Sequence, residues 1–107
     1  VRYLNNKGID SILEFEFDPS KSQLNRLKHG IGFEAARALW LGPVLELRAR
    51  VLQELRWVVI GLISGAYWTA VITYRGPRIR IISVRRSRDE EKAAFKKTGF
   101  KPAVDDG

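Results

Sequence analysis

The chain has 107 residues, of which 45% are hydrophobic and 10% aromatic, a composition typical of one folded domain and not of a disordered chain. Its 19 Lys and Arg against 12 Asp and Glu give a formal net charge of +7, which favours an anionic partner such as nucleic acid, an anionic membrane or an acidic protein. Because the chain has no cysteine, disulfides, thiolate metal sites and a cysteine nucleophile are excluded.

The N-terminal part of the chain contains one expected strand. Residues 1–12 show little periodicity, which predicts a loose arm. Residues 13–17 alternate between large apolar side chains and glutamates, the pattern of a half-buried strand. The apolar stretch over residues 58–66 is far shorter than the ~20 residues that a membrane-spanning helix needs, and residues 1–12 lack the apolar centre of a signal peptide. We therefore expect a cytoplasmic protein without a membrane partner.

Residues 19–29 are expected to form the first helix. Asp18 is a favourable N-cap, a proline occupies the first helical position, and Gly30 is a natural stop. The spacing of the apolar residues predicts that Leu24 and Leu27 face the core.

A second short helix and four strands follow. Residues 33–41 carry apolar side chains at helical spacing before a Gly-Pro stop. The period then changes, and β-branched and aromatic residues separated by short glycine-containing breaks predict a four-stranded meander. The expected strands cover residues 44–48, 56–63, 67–74 and 78–85. Residues 49–54 fit either a strand extension or a helical turn.

The last expected helix covers residues 88–97, with Ser87 and Glu90 as a capping box. Residues 98–107 predict a flexible tail. The order of strand, two helices, four strands and helix predicts a single α+β domain over residues 13–97. We expect a small antiparallel sheet, with two N-terminal helices and one C-terminal helix on one of its sides.

The segment from Arg75 to Arg88 contains six arginines and no acidic residue. Arginine binds phosphate through two parallel N–H groups and keeps its charge when partly buried. Strand alternation places Arg78 and Arg80 on the same face of the predicted sheet. The segment therefore indicates an RNA-binding face, and the alternative is a solvated basic strand that docks an acidic protein.

Few residues could transfer protons or bind a metal. His29, the only histidine, lies at a predicted helix end, where it could be a general acid or only a packing residue. The acids are scattered and glycine-rich phosphate loops are absent, so neither a metal nor a cofactor is expected. RNA cleavage needs neither, because a protein can position the 2′-hydroxyl against the adjacent phosphate and stabilise the developing charge. Candidate proton-transfer residues are Glu54, His29, Lys21 and Lys28.

Motifs from both halves of the chain match one known pattern when they are taken together. The first half carries Phe15-Glu16-Phe17-Asp18-Pro19 with Lys21, then Asn25, Lys28-His29-Gly30 and Phe33-Glu34-Ala35-Ala36. The second half carries Glu54, Arg56-Trp57, Ile60-Gly61, Thr73, Arg75, the run Arg80-Ile81-Ile82-Ser83-Val84-Arg85-Arg86 and Glu91. Over about residues 13–95 this combination resembles the BrnT family, the toxins of type II BrnT/BrnA toxin–antitoxin systems.

The resemblance implies a RelE-like fold and a ribonuclease that inhibits translation. It also implies a DNA-binding BrnA-type antitoxin as partner, in a heterotetramer of two toxins with an antitoxin dimer, so that DNA is contacted only through the antitoxin. The catalytic candidates it indicates are Lys21, His29, Glu54, Arg56, Arg80 and Arg85. The RNA-binding candidates are Arg75, Arg78, Arg86 and Lys28. Arg86 and Glu91 could instead pair with each other or cap the last helix.

The sequence departs from the family pattern before the central strands. Residues 48–53 lack the acids and the histidine that are common in that loop, and Leu55 stands where a second acid is common. Phe95 replaces a frequent tyrosine, and Phe17 replaces a tryptophan. A catalytically degenerate module that binds RNA or docks an antitoxin is therefore the alternative to an active ribonuclease.

Overall fold

The computed structural model describes residues 2–5, 13–49 and 54–100, and residues 2–5 through their backbone alone. The strands are β1 (Arg2–Asn5), β2 (Glu14–Glu16), β3 (Pro43–Ala49), β4 (Arg56–Ile63), β5 (Ala66–Arg75) and β6 (Arg78–Arg86). The helices are α1 (Pro19–His29), α2 (Phe33–Ala36), continued by a 3-10 turn over Arg37–Leu41, and α3 (Asp89–Lys96). The expected α+β class is confirmed. Within these described ranges, no helix is long and apolar enough to cross a membrane.

The strands form one mixed sheet in the order β1-β3-β4-β5-β6-β2. The expected meander is confirmed, because β3 to β6 pair antiparallel in sequence order. The expectation of a purely antiparallel sheet is wrong, since β2 pairs parallel with β6 and places Glu16 beside Arg80. β1 lies within the predicted loose arm, yet its residues pair with β3 at the opposite edge. The segments 6–12 and 101–107 lie outside the described residues.

Helices cover both faces of the sheet, although the sequence predicted them on one side. We call the first face the core face, where Phe33 and Trp40 of α2 and the 3-10 turn are buried with Ile81 of β6. On the opposite face, which we call the α3 face, Phe95 of α3 packs against Ile60 and its neighbours. α3 has eight residues and covers only part of this face, since Val58 and Val71 of the same face stay half-buried.

A β-bulge in β6 reverses the alternation of side chains along the strand. Val71 of β5 pairs with Ser83, whereas the next residue, Ile72, pairs with Ile81, so Ile82 is an extra residue. Ile81 and Val84 consequently both enter the core-face cluster despite a separation of three residues. A bulge redirects the side chains that follow it, and here it brings Arg80 and Arg85 onto the α3 face together.

The ends of α1 follow the sequence prediction, but its buried side does not. Asp18 accepts a hydrogen bond from the Ser20 backbone N–H at 2.9 Å, and Gly30 ends the helix at φ 83°, a left-handed conformation that glycine adopts without steric cost. The prediction that Leu24 and Leu27 face the core is wrong, because their exposed fractions are 65% and 80%. The buried residue of α1 is Asn25.

Asn25 is buried because it completes the pairing of the β6 edge. Its Nδ2 donates to the carbonyl oxygens of Val84 at 2.9 Å and Ile31 at 2.8 Å, and its Oδ1 accepts from the Val84 N–H at 3.2 Å. β2 pairs only with Arg78–Arg80, so Val84 lies beyond the last strand partner. Buried backbone groups need hydrogen-bond partners, and a leucine at this position of α1 could not supply them.

The start of α3 differs from the predicted capping box. Arg88 is the N-cap, and its backbone N–H donates to the Glu91 carboxylate at 2.7 Å. Ser87 and Glu90 do not form the box, because Ser87, just after the end of β6, is bonded to residues of β5. Its N–H donates to the Tyr67 carbonyl at 3.1 Å, and its hydroxyl bonds with that of Thr69 at 2.7 Å.

We predict that Asn25→Ala lowers the free energy of unfolding by about 2–4 kcal/mol, because it leaves buried backbone groups of Val84 unpaired. Leu27→Ala is the matched control on the same helix, and we expect a change within about 0.5 kcal/mol at this exposed position. Urea unfolding of both variants gives the comparison. A larger loss for Leu27→Ala than for Asn25→Ala would contradict the role of Asn25.

Candidate functional site

A row of polar side chains crosses the part of the α3 face that α3 leaves open. We call it the arginine row, and it consists of Arg56 of β4, Thr73 of β5, Arg80 of β6 and Glu16 of β2. Arg80 pairs with both Thr73 and Glu16 in the strand register. The pairing of residues 57 and 72 sets Arg56 beside Thr73. Val58 and Val71, from the same face, are only half-buried, so a ligand can reach the row.

Glu16 is the anion at the centre of three arginines. Its carboxylate accepts a hydrogen bond from Arg80 Nη1 at 2.8 Å and lies 3.7 Å from Arg75 Nε and 3.8 Å from Arg78 Nη1. Glu14 adds a weaker pair, 3.5 Å from Arg78 Nε. The arginine-rich segment is therefore partly compensated by acids of β2.

Glu16 is a candidate site residue that the sequence reasoning did not include. Its sequence signals were its place in the Phe15–Pro19 motif and its outward position in the alternating residues 13–17, and neither of them identifies a partner for the carboxylate. The parallel pairing of β2 with β6 supplies that partner, although the two residues are 64 positions apart in the chain.

Glu54 and Arg56, two of the candidates from the sequence, lie beside each other. Glu54 Oε2 lies 3.4 Å from Arg56 Nη2, and the side chains are 50% and 31% exposed. In the part of the chain that the structure describes, the buried Nε of Arg56 has no hydrogen-bond partner. Thr73 donates to the carbonyl oxygen of Leu55 at 3.0 Å, which anchors the start of β4 beside the arginine row.

Arg85 serves a different purpose from Arg80. Both of its terminal nitrogens donate to Glu91 of α3, at 2.7 and 2.8 Å, and the Thr69 hydroxyl donates to the same carboxylate at 3.0 Å. This fork of two parallel bonds fixes α3 against the sheet. Arg85 therefore contacts an internal anion through the groups with which it would hold a phosphate.

The environment of Glu91 strongly favours its ionised form. Burial raises the pKa of the carboxyl, but hydrogen bonds from the Arg85 side chain, the Arg88 backbone and Thr69 outweigh burial and lower the pKa to about 2. The hydrogen bond with Glu91 in turn raises the pKa of Arg85. The pair stays charged at any pH at which the protein would act.

Arg86 points away from the arginine row. Its guanidinium lies 5.3 Å from the ring centre of Trp68, which packs against the core face. The suggested pairing of Arg86 with Glu91 is therefore wrong, and the suggested capping role of Glu91 is confirmed by its bond to the Arg88 backbone.

The three candidates on α1 lie apart from the row. Lys21 and Lys28 are exposed and His29 is half-buried. Among the described residues, no hydrogen bond or ion pair joins any of the three to the arginines of β6. Residues 50–53, where the sequence departs from the family pattern, lie outside the described ranges.

Aromatic side chains and metal ligands contribute little to this surface. Trp57, Trp68 and Tyr74 pack against the core face, and Tyr67 lies edge to face with Phe95 of α3. In residues 13–49 and 54–100, no group of three His, Cys, Asp or Glu residues has the arrangement of a metal site.

Residues 17–91 match the family model described as ribonuclease toxin, BrnT, of type II toxin–antitoxin system. The match covers well over half of the chain and confirms the resemblance seen in its motifs. No curated protein matches the chain.

We predict that Glu91→Gln lowers the free energy of unfolding in a pH-dependent way. The folded-state pKa of Glu91, about 2, lies below its ordinary value of 4.5, so the ionised carboxylate stabilises the fold above about pH 5 and this contribution disappears as the pH falls to about 2. We expect a loss of about 1–3 kcal/mol at pH 7, measured by urea unfolding across this pH range.

The control is Glu90→Gln, which removes an exposed carboxylate from the same helical turn. We expect this variant to change stability by less than about 0.5 kcal/mol. A difference between wild type and Glu91→Gln that persists unchanged at pH 2 would show that ionisation of Glu91 is not what stabilises α3.

Proposed function

Because the chain belongs to the BrnT family of ribonuclease toxins of type II toxin–antitoxin systems, we propose that it is a metal-independent endoribonuclease that inhibits translation. A cognate BrnA-type antitoxin would neutralise it, in the cytoplasm of a bacterium. The observation that carries the proposal is the arginine row, which lies on the open part of the α3 face.

The fold is proposed to be RelE-like. This proposal is supported by the four-stranded antiparallel meander, by helices that precede it on the core face and by a helix that follows it on the α3 face. In this arrangement α3 borders the open part of the sheet, and RNA would lie along the strands beside it.

The cleavage step follows from the chemistry of RNA. The 2′-oxygen forms a bond to the adjacent phosphorus, the bond from phosphorus to the 5′-oxygen breaks, and a cyclic phosphate and a free 5′-hydroxyl result. A base accepts the proton of the 2′-hydroxyl, and an acid donates a proton to the departing 5′-oxygen. Arg80 and Arg56 would stabilise the negative charge that develops on the phosphate oxygens. None of these steps requires a metal ion.

Glu54 is the proposed proton acceptor, because it is the proton-transfer candidate that lies beside an arginine of the row. Its side chain is half exposed and within 3.4 Å of Arg56, so it can reach a bound nucleotide. Lys21, in the first turn of α1, lies apart from the row, and Lys28 and His29 lie ~10 Å further along the helix. All three would contact flanking RNA, and the departing 5′-oxygen would take its proton from water.

The remaining arginines would act around this centre. Arg75 and Arg78 flank Arg80 near Glu16 and would hold the RNA backbone. Arg86, over Trp68, would contact RNA only beyond the edge of the sheet. Arg85 was a catalytic candidate, but its bidentate pair with Glu91 favours a structural role in holding α3.

The antitoxin complex is proposed to be a heterotetramer of two toxins with an antitoxin dimer, and DNA would be contacted only by the antitoxin. A second candidate function is a degenerate module that binds RNA without cleaving it. The charge compensation of Arg80 by Glu16 and the absence of acids in residues 48–53 favour this alternative, which would retain salt-sensitive RNA affinity.

We predict that purified protein free of antitoxin cleaves labelled RNA in the presence of EDTA. Arg80→Ala is expected to lower the cleavage rate at least about 100-fold, because it removes a donor that stabilises transition-state charge. Arg37→Ala is the matched control, since Arg37 is an exposed cation of the 3-10 turn, and it is expected to cleave like wild type. The measurement is the initial rate of product formation.

Thermal unfolding of the same samples shows whether a lost cleavage rate reflects lost chemistry or lost folding. Arg80→Ala should unfold at the same temperature as wild type, because its partner Glu16 remains partly exposed. Loss of folding in Arg80→Ala would contradict the site assignment. Salt-sensitive binding without cleavage by wild type would establish the degenerate module.

A further inference from the structure

Glu16 lies where an anion bound by three guanidinium groups would lie. Its carboxylate bonds to Arg80 at 2.8 Å and lies within 4 Å of Arg75 and Arg78. The side chain is 23% exposed, so solvent or a ligand can still reach the guanidinium groups around it. A phosphodiester presents the same chemistry, namely one negative charge shared by two oxygens.

The contacts of Arg80 differ from those of Arg85 in a way that bears on ligand binding. Arg85 donates two parallel hydrogen bonds to Glu91. Within the described ranges, Arg80 donates to Glu16 through Nη1 alone. Since a guanidinium has five N–H donors, Arg80 keeps a second edge for a ligand while Glu16 holds it in place.

The charges around Arg80 match one phosphodiester. Arg75, Arg78 and Arg80 supply three positive charges, and Glu14 and Glu16 supply two negative charges, which leaves a net charge of +1. A site with this balance is neutralised by one phosphodiester, which leaves no net charge to attract a second one. Without Glu16, the net charge would rise to +2.

From this geometry, and resting on the proposed function, we infer that Arg75, Arg78 and Arg80 form a subsite for a single RNA phosphodiester and that Glu16 is its resident counterion. Glu16 orients Arg80 and limits the affinity for the RNA backbone. It is a positioning residue, because it acts on the ligand through the guanidinium group that it holds.

The test measures binding of a 2′-O-methyl oligoribonucleotide, which lacks the proton of the attacking hydroxyl and is not cleaved. Glu16→Gln keeps the size of the side chain and removes its charge. Glu34→Gln makes the same change in net charge at an exposed position of α2, away from the arginine row. Dissociation constants are measured from 50 to 200 mM salt, a range in which the screening length of the solution is comparable to the size of the site.

We expect Glu16→Gln to lower the dissociation constant at 50 mM salt by about fourfold or more, the effect of one unit charge about 5 Å away in water. The slope of log affinity against log salt should steepen by about 0.7, the value of one further phosphate contact. Glu34→Gln should shift the dissociation constant by less than about twofold. Equal effects of the two variants, weaker binding by Glu16→Gln, or no binding by wild type would overturn the inference.

Cleavage of unmodified RNA by the same proteins keeps the two proposals apart. The expected binding change without cleavage by any variant would refute the ribonuclease and leave the subsite standing. Cleavage by wild type with identical oligonucleotide binding by Glu16→Gln and Glu34→Gln would refute the subsite and leave the ribonuclease standing.

Discussion

The side-chain amide of Asn25 is the contact on which the arrangement of the other elements depends. It bonds to both backbone groups of Val84, at a point of β6 where β2 no longer provides a partner. β6 can therefore be shared by a short parallel strand and a helix without leaving buried backbone groups unpaired. The same strand carries Arg80 and Arg85, so a contact on the core side of the molecule fixes the position of the basic surface.

The bulge in β6 gives the two arginines a common face and different surroundings. Arg85 lies under α3, where it donates to Glu91, and Thr69 donates to the same carboxylate. Arg80 lies beyond the helix, beside Thr73 and Glu16. The α3 face is consequently divided into a covered part that stabilises the fold and an open part that can hold a ligand.

Composition alone gives a misleading picture of this charge. Six arginines with no acid among them indicate a strongly cationic strand. In the structure, however, Glu16 of β2 and Glu91 of α3 each accept hydrogen bonds from an arginine of this strand. An arginine that donates two parallel bonds to a carboxylate no longer has that pair of N–H groups for a ligand. An arginine that donates one bond is oriented by it and can still bind a ligand through its other N–H groups. The donors that each arginine keeps for a ligand therefore depend on its carboxylate partner and not on the local charge density.

The sequence by itself determined the ends of α1, the strands of the meander and the family, because caps, turn residues and side-chain periods act over a few neighbouring positions. Tertiary structure alone decided that Asn25 and not Leu27 is buried, that Arg85 shares a face with Arg80, and that Glu16 belongs to the candidate site. Two of these outcomes depend on a partner distant in the chain: Val84 is 59 residues from Asn25, and Arg80 is 64 residues from Glu16. The shared face of Arg80 and Arg85 depends on the bulge in the pairing of β5 with β6. Local periodicity shows which side chains are polar or apolar, but it contains no information on which strand edge or carboxylate they will meet.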